Sequence, residues 1–245
     1  MNHCLNIAHR GASGYCPENT MAAFRRAIEL GANGIETDVQ MTADGQLVLI
    51  HDEQLERTAG SPKLVKDVTF DELRGLDAGS WYAPEFAGEK IPSLRELLEL
   101  VRPTSVMVNI ELKNGVVPYP GLEEAVIREV RDFGLSDRII LSSFNHYSLV
   151  KCKQLAPEIR TGLLYMEGLY EPWEYAIRCG ADALHAVHYA VLPEWVEAAA
   201  KQRIAYHPFT VNEEPEMERL LAAGAAGIIT DYPDRLGELL LAKKG

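Results

Sequence analysis

Cysteine is scarce in this sequence and forms no pair with the spacing of a metal site. Only four cysteines occur among the 245 residues, and no two of them make a C-x-x-C motif. Thiolate zinc sites usually contain such pairs, so their absence argues against a zinc site of this kind. We interpret the four cysteines as reduced, buried thiols, which predicts a cytoplasmic protein.

A long apolar run and an excess of positive charge are also missing. No positively charged start leads into a long apolar segment, so we expect neither a signal peptide nor a membrane-spanning helix, and no stable membrane association. The formal net charge is −12 at pH 7. Because phosphate backbones attract basic surfaces, this charge argues against nucleic acid or an anionic membrane as the main partner.

Apolar residues are plentiful and make up 47% of the chain, enough for one large domain or two small ones. Eight short apolar runs are typical of β-strands, and helical patterns of about ten residues separate most of them. The eight runs span residues 4–9, 34–39, 106–112, 138–143, 161–166, 181–187, 204–209 and 227–231.

This alternation of strands and helices is typical of right-handed βαβ units. Eight units within 245 residues predict an α/β fold of the TIM-type (β/α)8 barrel class, with a single domain over residues 1–245. A doubly wound open sheet is the alternative, but the G-x-G-x-x-G loop that such sheets often carry does not follow the first strand candidate. We therefore favour the barrel.

A ninth strand candidate, residues 46–51, follows the second strand after the turn signal TADG. The spacing predicts an antiparallel hairpin folded about residues 43–44, which would place His51 opposite Glu36 at the rim where a barrel keeps its active site. The long segment 52–92 comes next. Insertions of this length are often functional, so we expect an inserted subdomain that acts either as a lid or specificity cap or as a structural flap.

Three carboxylates lie at strand ends that should meet in a barrel. Glu36 and Asp38 are two residues apart and so point to the same face, and Glu111 ends the next predicted strand of the barrel. Buried carboxylates are costly unless positive charge offsets them. A hard divalent cation, Mg²⁺ or Ca²⁺, would do so through oxygen ligands. We therefore predict a metal site here; salt-bridged rim residues are the alternative.

Two histidines and two cations accompany the carboxylates. His9 and Arg10 end the first strand, His51 returns on the hairpin, and Lys113 follows the third barrel strand. Imidazole titrates near neutral pH, so the two histidines suit an acid–base pair. The two cations indicate an anionic substrate. With a metal, these groups predict phosphoryl transfer, whereas a glycosidase would need the carboxylates alone.

These residues lie in motifs that resemble the glycerophosphodiester phosphodiesterase family. The stretch HRGASGYCPENTMAAFRRAIELGANGIETDVQMTADGQLVLIHDE resembles the N-terminal signature of the family, and IPSLRELLEL, NIELK, LSSF, FTVN and GIITDYPD continue the similarity in the expected order. The resemblance implies a TIM-type barrel with a small inserted subdomain. It also implies metal-dependent hydrolysis of glycerophosphodiesters to sn-glycerol 3-phosphate and an alcohol, in glycerophospholipid degradation.

The resemblance also implies roles for individual residues. The metal ligands would be Glu36, Asp38 and Glu111, the acid–base pair His9 and His51, and the phosphate-binding cations Arg10 and Lys113. Glu18 and Asn19 match the family pattern as well, and we interpret Asn19 as the N-cap of the first helix in preference to a substrate contact.

The chain departs from the family pattern at Phe209, where the family usually has tryptophan. Phenylalanine keeps an apolar wall for the substrate but lacks the indole N–H, so we expect altered substrate packing without loss of the chemistry. Phe144 could extend this wall or belong to the core. We leave His185, His188 and His207 out of the catalytic set, because a lone histidine at a strand end is more often structural.

Two alternative functions use the same residues. A lysophospholipase D would need an apolar groove at the mouth, which Trp81, Tyr82 and Phe86 could line. A catalytically silent barrel used as a binding module should have lost a ligand or a histidine, and this chain retains them all. The leaving alcohol, the choice between Mg²⁺ and Ca²⁺, attack by water or through a cyclic intermediate, which histidine is the acid, and the choice between monomer and homodimer stay open.

Overall fold

The structure is a computed structural model that describes residues 4–243. Its strands are β1 (Leu5–Ala8), β2 (Gly34–Met41), β3 (Leu47–Leu49), β4 (Met107–Leu112), β5 (Ile139–Ser143), β6 (Arg160–Tyr165), β7 (Ala183–Ala186), β8 (Ala205–Tyr206) and β9 (Gly227–Thr230). Its helices are α1 (Met21–Glu29), α2 (Glu56–Ala59), α3 (Phe70–Gly75), α4 (Leu94–Val101), α5 (Leu122–Asp132), α6 (His146–Leu155), α7 (Pro172–Cys179), α8 (Pro193–Lys201), α9 (Glu214–Ala223) and α10 (Pro233–Ala242). Within residues 4–243, no helix is long and apolar enough to cross a membrane.

Eight strands form a parallel sheet that curls into a barrel, in the order β8-β7-β6-β5-β4-β2-β1-β9. Backbone hydrogen bonds join its two ends. The N–H of Ala226 donates to Tyr206 (3.0 Å), that of Ile229 to Pro208 (2.9 Å), and that of Val211 to Ile229 (2.9 Å). Each of the eight predicted runs overlaps one of these strands, and the predicted TIM-type (β/α)8 barrel is confirmed.

The predicted hairpin forms between β2 and β3, but its register differs by one residue from the expected one. Val39 pairs with Leu49 and Met41 with Leu47. Continued in the same register, this pairing would place Thr37, and not Glu36, opposite His51. The turn is centred one half-residue later than predicted, because Thr42 closes it by accepting the N–H of Gln46 and the strands pair outward from there.

Within residues 4–243, buried apolar side chains form two separate cores. The larger one lies between the barrel strands and the surrounding helices. The smaller one joins β3 to the segment 52–92, and its buried members are Val48, Ile50, Leu55, Val65, Val68, Leu73, Ala78 and Ile91. The inserted segment therefore has packing of its own. Its status as a subdomain or cap within a single catalytic domain 1–245 stays a prediction.

The start of α1 corrects one prediction. The N-cap is Thr20, whose side-chain oxygen accepts the N–H of Ala23 at 3.2 Å. Asn19 was the predicted cap, and this is wrong: its backbone is left-handed (φ 54°), which lies outside the extended conformation of a cap residue. The Asn19 side chain instead points toward β2.

Candidate active site

The predicted metal ligands meet at the carboxyl ends of β2 and β4. The register places Asp38 beside Glu111, and Glu36 lies two residues earlier on the same face. Ile35 and Val39 pack between the strands and the helices, so the alternate residues of β2 point into the barrel. One carboxylate oxygen from each of the three acids lies within 4.8 Å of the other two.

The electrostatics of this carboxylate cluster favour a cation. All three side chains are buried. Burial, followed by the charges of Asp38 and Glu111, raises the pKa of Glu36 well above its ordinary value. Burial and then Asp38 raise the pKa of Glu111 to about 7. Burial acts in the same direction on Asp38, but Arg10 and two further basic groups hold the pKa of its carboxyl below its ordinary value.

The raised pKa values show that the three carboxyls resist ionising together beside Arg10 and Lys113 alone, and a bound cation would favour their ionised forms. Three converging carboxylate oxygens are the donor set that Mg²⁺ and Ca²⁺ prefer. The residues present thus fit a divalent cation, and the choice of cation is left to experiment.

The two predicted phosphate-binding cations lie against the carboxylate cluster. Arg10 has a left-handed backbone (φ 53°), and its N–H donates to Glu36 at 2.9 Å. The Nε atom of Arg10 is 3.4 Å from an oxygen of Asp38. Lys113 donates to Glu111 at 2.9 Å and lies 3.9 Å from Asp38. An oxyanion bound at the cluster would therefore meet two fixed cations as well as any metal held by the carboxylates.

His9 and His51 each contact an aspartate through Nδ1. The distance is 2.7 Å from His9 Nδ1 to Asp231 and also 2.7 Å from His51 Nδ1 to Asp52. Burial favours a neutral Asp231, but the hydrogen bond from His9 and other contacts hold its pKa at about 2. A carboxylate can only accept, so Nδ1 carries the proton in each pair. The Nε2 atom of each ring is then available for proton exchange with a ligand.

Asp231 and Asp52 were not among the predicted site residues, although both lie in the motifs that resemble the family. Asp231 follows β9 directly, so the strand-end reasoning that identified Glu36 applies to it as well. It also accepts hydrogen bonds from Ser13 Oγ (2.9 Å) and Asn212 Nδ2 (2.6 Å). Asp52 directly follows the predicted catalytic residue His51, and this adjacency could have indicated it.

Asn19 supports the carboxylate cluster from behind. Its Nδ2 donates to Asp38 at 2.8 Å, and its Oδ1 accepts from the hydroxyl of Thr37 at 2.7 Å. The amide thus fixes one oxygen of a predicted metal ligand, which is the usual role of the groups behind a metal's direct ligands.

Phe209 lies just after β8, and Phe144 just after β5. Their ring centroids are 6.3 Å apart and the rings are nearly perpendicular (86°). Phe209 is partly exposed and Phe144 is exposed. The two rings therefore form one apolar surface at the edge of the barrel where the strands end.

The three histidines left out of the catalytic set, His185, His188 and His207, contact side chains outside the carboxylate cluster. His207 Nδ1 and His185 Nε2 are 3.0 Å apart, and both rings are buried. His185 alternates with Leu184 and Ala186, which face the helices, so it points into the barrel. His188 contacts Glu216 at 3.0 Å. His185 and His207 thus contact each other, and His188 contacts a carboxylate outside the cluster.

Comparison with known proteins agrees with this geometry. The family model described as the glycerophosphoryl diester phosphodiesterase family matches residues 9–235. A glycerophosphodiester phosphodiesterase of Caldanaerobacter subterraneus is 49% identical over 98% of each chain. Another, from Bacillus altitudinis, is 44% identical over 94% of this chain and 95% of the relative.

Solved structures give the same answer. A phosphodiesterase of Oleispira antarctica, in complex with the product sn-glycerol-3-phosphate, is 32% identical, with a TM-score of 0.88 and coverage of 96% of each chain. A glycerophosphodiester phosphodiesterase of Thermotoga maritima is 28% identical, with a TM-score of 0.79 over 98% of this chain and all of the other. The chain belongs to the glycerophosphoryl diester phosphodiesterase family.

Proposed function

We propose that this protein hydrolyses small glycerophosphodiesters to sn-glycerol 3-phosphate and an alcohol, with a divalent cation held by Glu36, Asp38 and Glu111. The observation that carries the proposal is the convergence of these buried carboxylates with two cations and two histidines anchored through Nδ1. When bound, the cation would polarise the phosphoryl oxygens and lower the pKa of the attacking hydroxyl. The phosphodiesterase of Oleispira antarctica was solved with sn-glycerol-3-phosphate, which is the product that we propose for this protein.

Each protein group has a task in this reaction. Arg10 and Lys113 would hold the nonbridging phosphate oxygens, since both lie beside the carboxylate cluster. One of His9 and His51 would take the proton of the attacking hydroxyl, and the other would give a proton to the departing alcohol. Attack by water yields the product directly, whereas attack by the glycerol 2-hydroxyl yields a cyclic phosphate that water then opens.

The apolar surface of Phe209 and Phe144 is proposed to pack against the carbon skeleton of the substrate. The Phe209 ring supplies a flat wall without an indole donor, so it favours apolar contact over a directed hydrogen bond. Trp81 in the inserted segment is 40% exposed and could contact the acyl chain of a lysophospholipid. The test therefore includes a lysophospholipid as a second substrate.

The setting of the protein is part of the same proposal. The partner is a small molecule, since the net charge of −12 disfavours nucleic acid. We expect a cytoplasmic monomer or homodimer acting in glycerophospholipid degradation. Three of the four cysteines are free and buried, and Cys179 is free and partly exposed, which suits a reducing compartment.

The test measures the release of sn-glycerol 3-phosphate from glycerophosphodiesters of choline, ethanolamine, glycerol and inositol, and the release of acylated glycerol phosphate from a lysophospholipid. Each assay is run with chelator and after addition of Mg²⁺ or Ca²⁺. We expect release that stops with chelator and returns with one cation. Release from the lysophospholipid alone would replace the proposed substrate, and a folded protein inactive on all of them would indicate the silent barrel.

A further inference from the structure

A chain of ion pairs runs from the inserted segment into the active site, and Arg57 is at its centre. Arg57 lies in α2, outside the barrel strands. Its guanidinium donates to both oxygens of Glu18, at 2.9 and 2.7 Å, and to both oxygens of Asp52, at 2.6 and 3.1 Å. One planar side chain therefore holds two carboxylates by paired hydrogen bonds.

Each of these carboxylates holds a residue of the proposed active site. Asp52 contacts Nδ1 of His51 at 2.7 Å. Glu18 accepts from Nη1 of Arg10 at 2.9 Å. Arg57 is thus the shared partner that links a proposed acid–base group to a proposed phosphate-binding group.

We propose that Arg57 is a positioning residue that fixes the His51 ring and the Arg10 guanidinium relative to each other, an inference that rests on the proposed function for its catalytic meaning. The side-chain hydrogen bonds of Arg57 go to Asp52 and Glu18, which lie between it and the residues of the proposed site. It acts on the reaction through Asp52 and Glu18.

The geometry requires arginine specifically. The paired contacts to Asp52 and Glu18 use the donors of Nε, Nη1 and Nη2, which lie in one plane. A lysine ammonium carries its three donors on one atom and cannot form two parallel pairs. The substitution Arg57→Lys would keep the charge but would hold the two carboxylates less rigidly.

The inserted segment in turn fixes Arg57. The guanidinium carbon lies 5.7 Å from the ring centroid of Trp81, within cation–π range. The Trp81 indole N–H donates to the carbonyl of Ala78 at 2.9 Å, and Ala78 belongs to the smaller apolar core together with Leu55, which precedes α2. The second core of the molecule thus supports a residue that orients the active site.

A structural role alone would give a different result from positioning. The Arg57 side chain is 42% exposed, and ion pairs at such sites contribute little to stability. Arg131 provides a matched control. It is 45% exposed and pairs with Glu158 at 2.8 Å, on α5 at the outside of the barrel.

The experiment compares Arg57→Gln, Arg57→Lys and Arg131→Gln with the wild-type protein. We measure kcat and KM for a glycerophosphodiester, the melting temperature, and the imidazole ¹H–¹⁵N NMR signals. In Arg57→Gln we expect kcat to fall by about 10²-fold with a smaller change in KM, because a displaced catalytic group costs about that much. Arg57→Lys should recover part of the loss, and Arg131→Gln should keep wild-type kcat.

The NMR signals separate this inference from the proposed function. We expect the Nδ1–H tautomer of His51 in the wild-type protein and a mixture of tautomers in Arg57→Gln, with the His9 signals unchanged. An unchanged His51 signal, or an equal loss of kcat in Arg131→Gln, would overturn the inference. If the wild-type protein releases no product, the proposed function fails, while the His51 signal still tests positioning. Should Arg57→Gln not fold, Arg57→Lys supports the same comparison.

Discussion

The two histidine–aspartate pairs of the site have the same geometry but different supports. Both Nδ1–Oδ1 distances are 2.7 Å. Neutral donors from the barrel, Ser13 and Asn212, hold Asp231, whereas a charged residue of the inserted segment, Arg57, holds Asp52. Two imidazole rings can therefore have the same hydrogen-bond geometry although the charges around their aspartates differ.

The difference bears on how each aspartate acts on its ring. A positive guanidinium beside Asp52 offsets part of the charge that would stabilise the imidazolium of His51. Burial lowers the pKa of His51, Asp38 opposes this, and Arg10 and Lys113 lower the pKa further. These effects favour the neutral form of the His51 ring. Substitutions at each pair can test how far the two histidine–aspartate pairs differ.

Removal of either histidine should have the largest effect. His9→Ala and His51→Ala should each lose about 10²–10⁴-fold in kcat/KM on an alkyl diester, the range for loss of general acid–base catalysis. A p-nitrophenyl diester needs no proton on its leaving group, so only the variant that lacks the acid should recover activity with it. Near-normal turnover of the alkyl diester by His51→Ala would contradict the assignment, and equal recovery by both variants would remove the distinction between the pairs.

The interior histidines His185 and His207 contact each other, whereas His9 and His51 contact aspartates, and this contrast can be tested through stability. Burial, followed by the charge of Arg160, lowers the pKa of His207 to about 4, from 6.5. The unfolded chain therefore binds more protons between these values, so stability should fall as the pH drops from about 6.5 to about 4. At 1.36 kcal/mol per pH unit the loss is about 3 kcal/mol. Urea unfolding across this range measures it, and His207→Gln should flatten the slope.

Neutralising the aspartates should have an intermediate effect. Asp52→Asn and Asp231→Asn should each lower kcat by about 10–100-fold, as is usual when a group that orients a site residue is changed. In Asp52→Asn the imidazolium of His51 loses its negative partner while Arg57, still paired with Glu18, stays nearby, so the pKa of His51 should fall and the matching limb of the kcat/KM profile should move to lower pH. A shift to higher pH would show that Asp52 does not stabilise the imidazolium.

Loss of one neutral donor should have the smallest effect. Ser13→Ala removes a single 2.9 Å hydrogen bond to Asp231, worth about 1 kcal/mol, so kcat should fall by about 5-fold. The NMR signals of His9 should move while those of His51 stay in place. Movement of both sets would mean that the two pairs are coupled and that their supports do not act separately.

Local sequence patterns predicted the barrel and its central cluster well, because both depend on period and position. Strand alternation put Glu36 and Asp38 on one face, and a position directly after a strand would have indicated Asp231. The hairpin register was off by one residue, since turn chemistry at Thr42 decides it. The contact of Arg57 with Glu18 spans 39 residues and joins two irregular segments, so no local pattern indicates it.

The left-handed backbone of Arg10 limits how this protein could be made more robust. A side chain in that region costs about 1 kcal/mol relative to glycine, and Arg10 is followed by Gly11, which is also left-handed. Arg10→Gly would relieve this backbone cost, but it would also remove the guanidinium that reaches Glu18 and Asp38, and leaving a buried carboxylate with less positive charge beside it costs more than the backbone gains. Replacement by glycine, which usually stabilises a left-handed position, should therefore lower the melting temperature at this one.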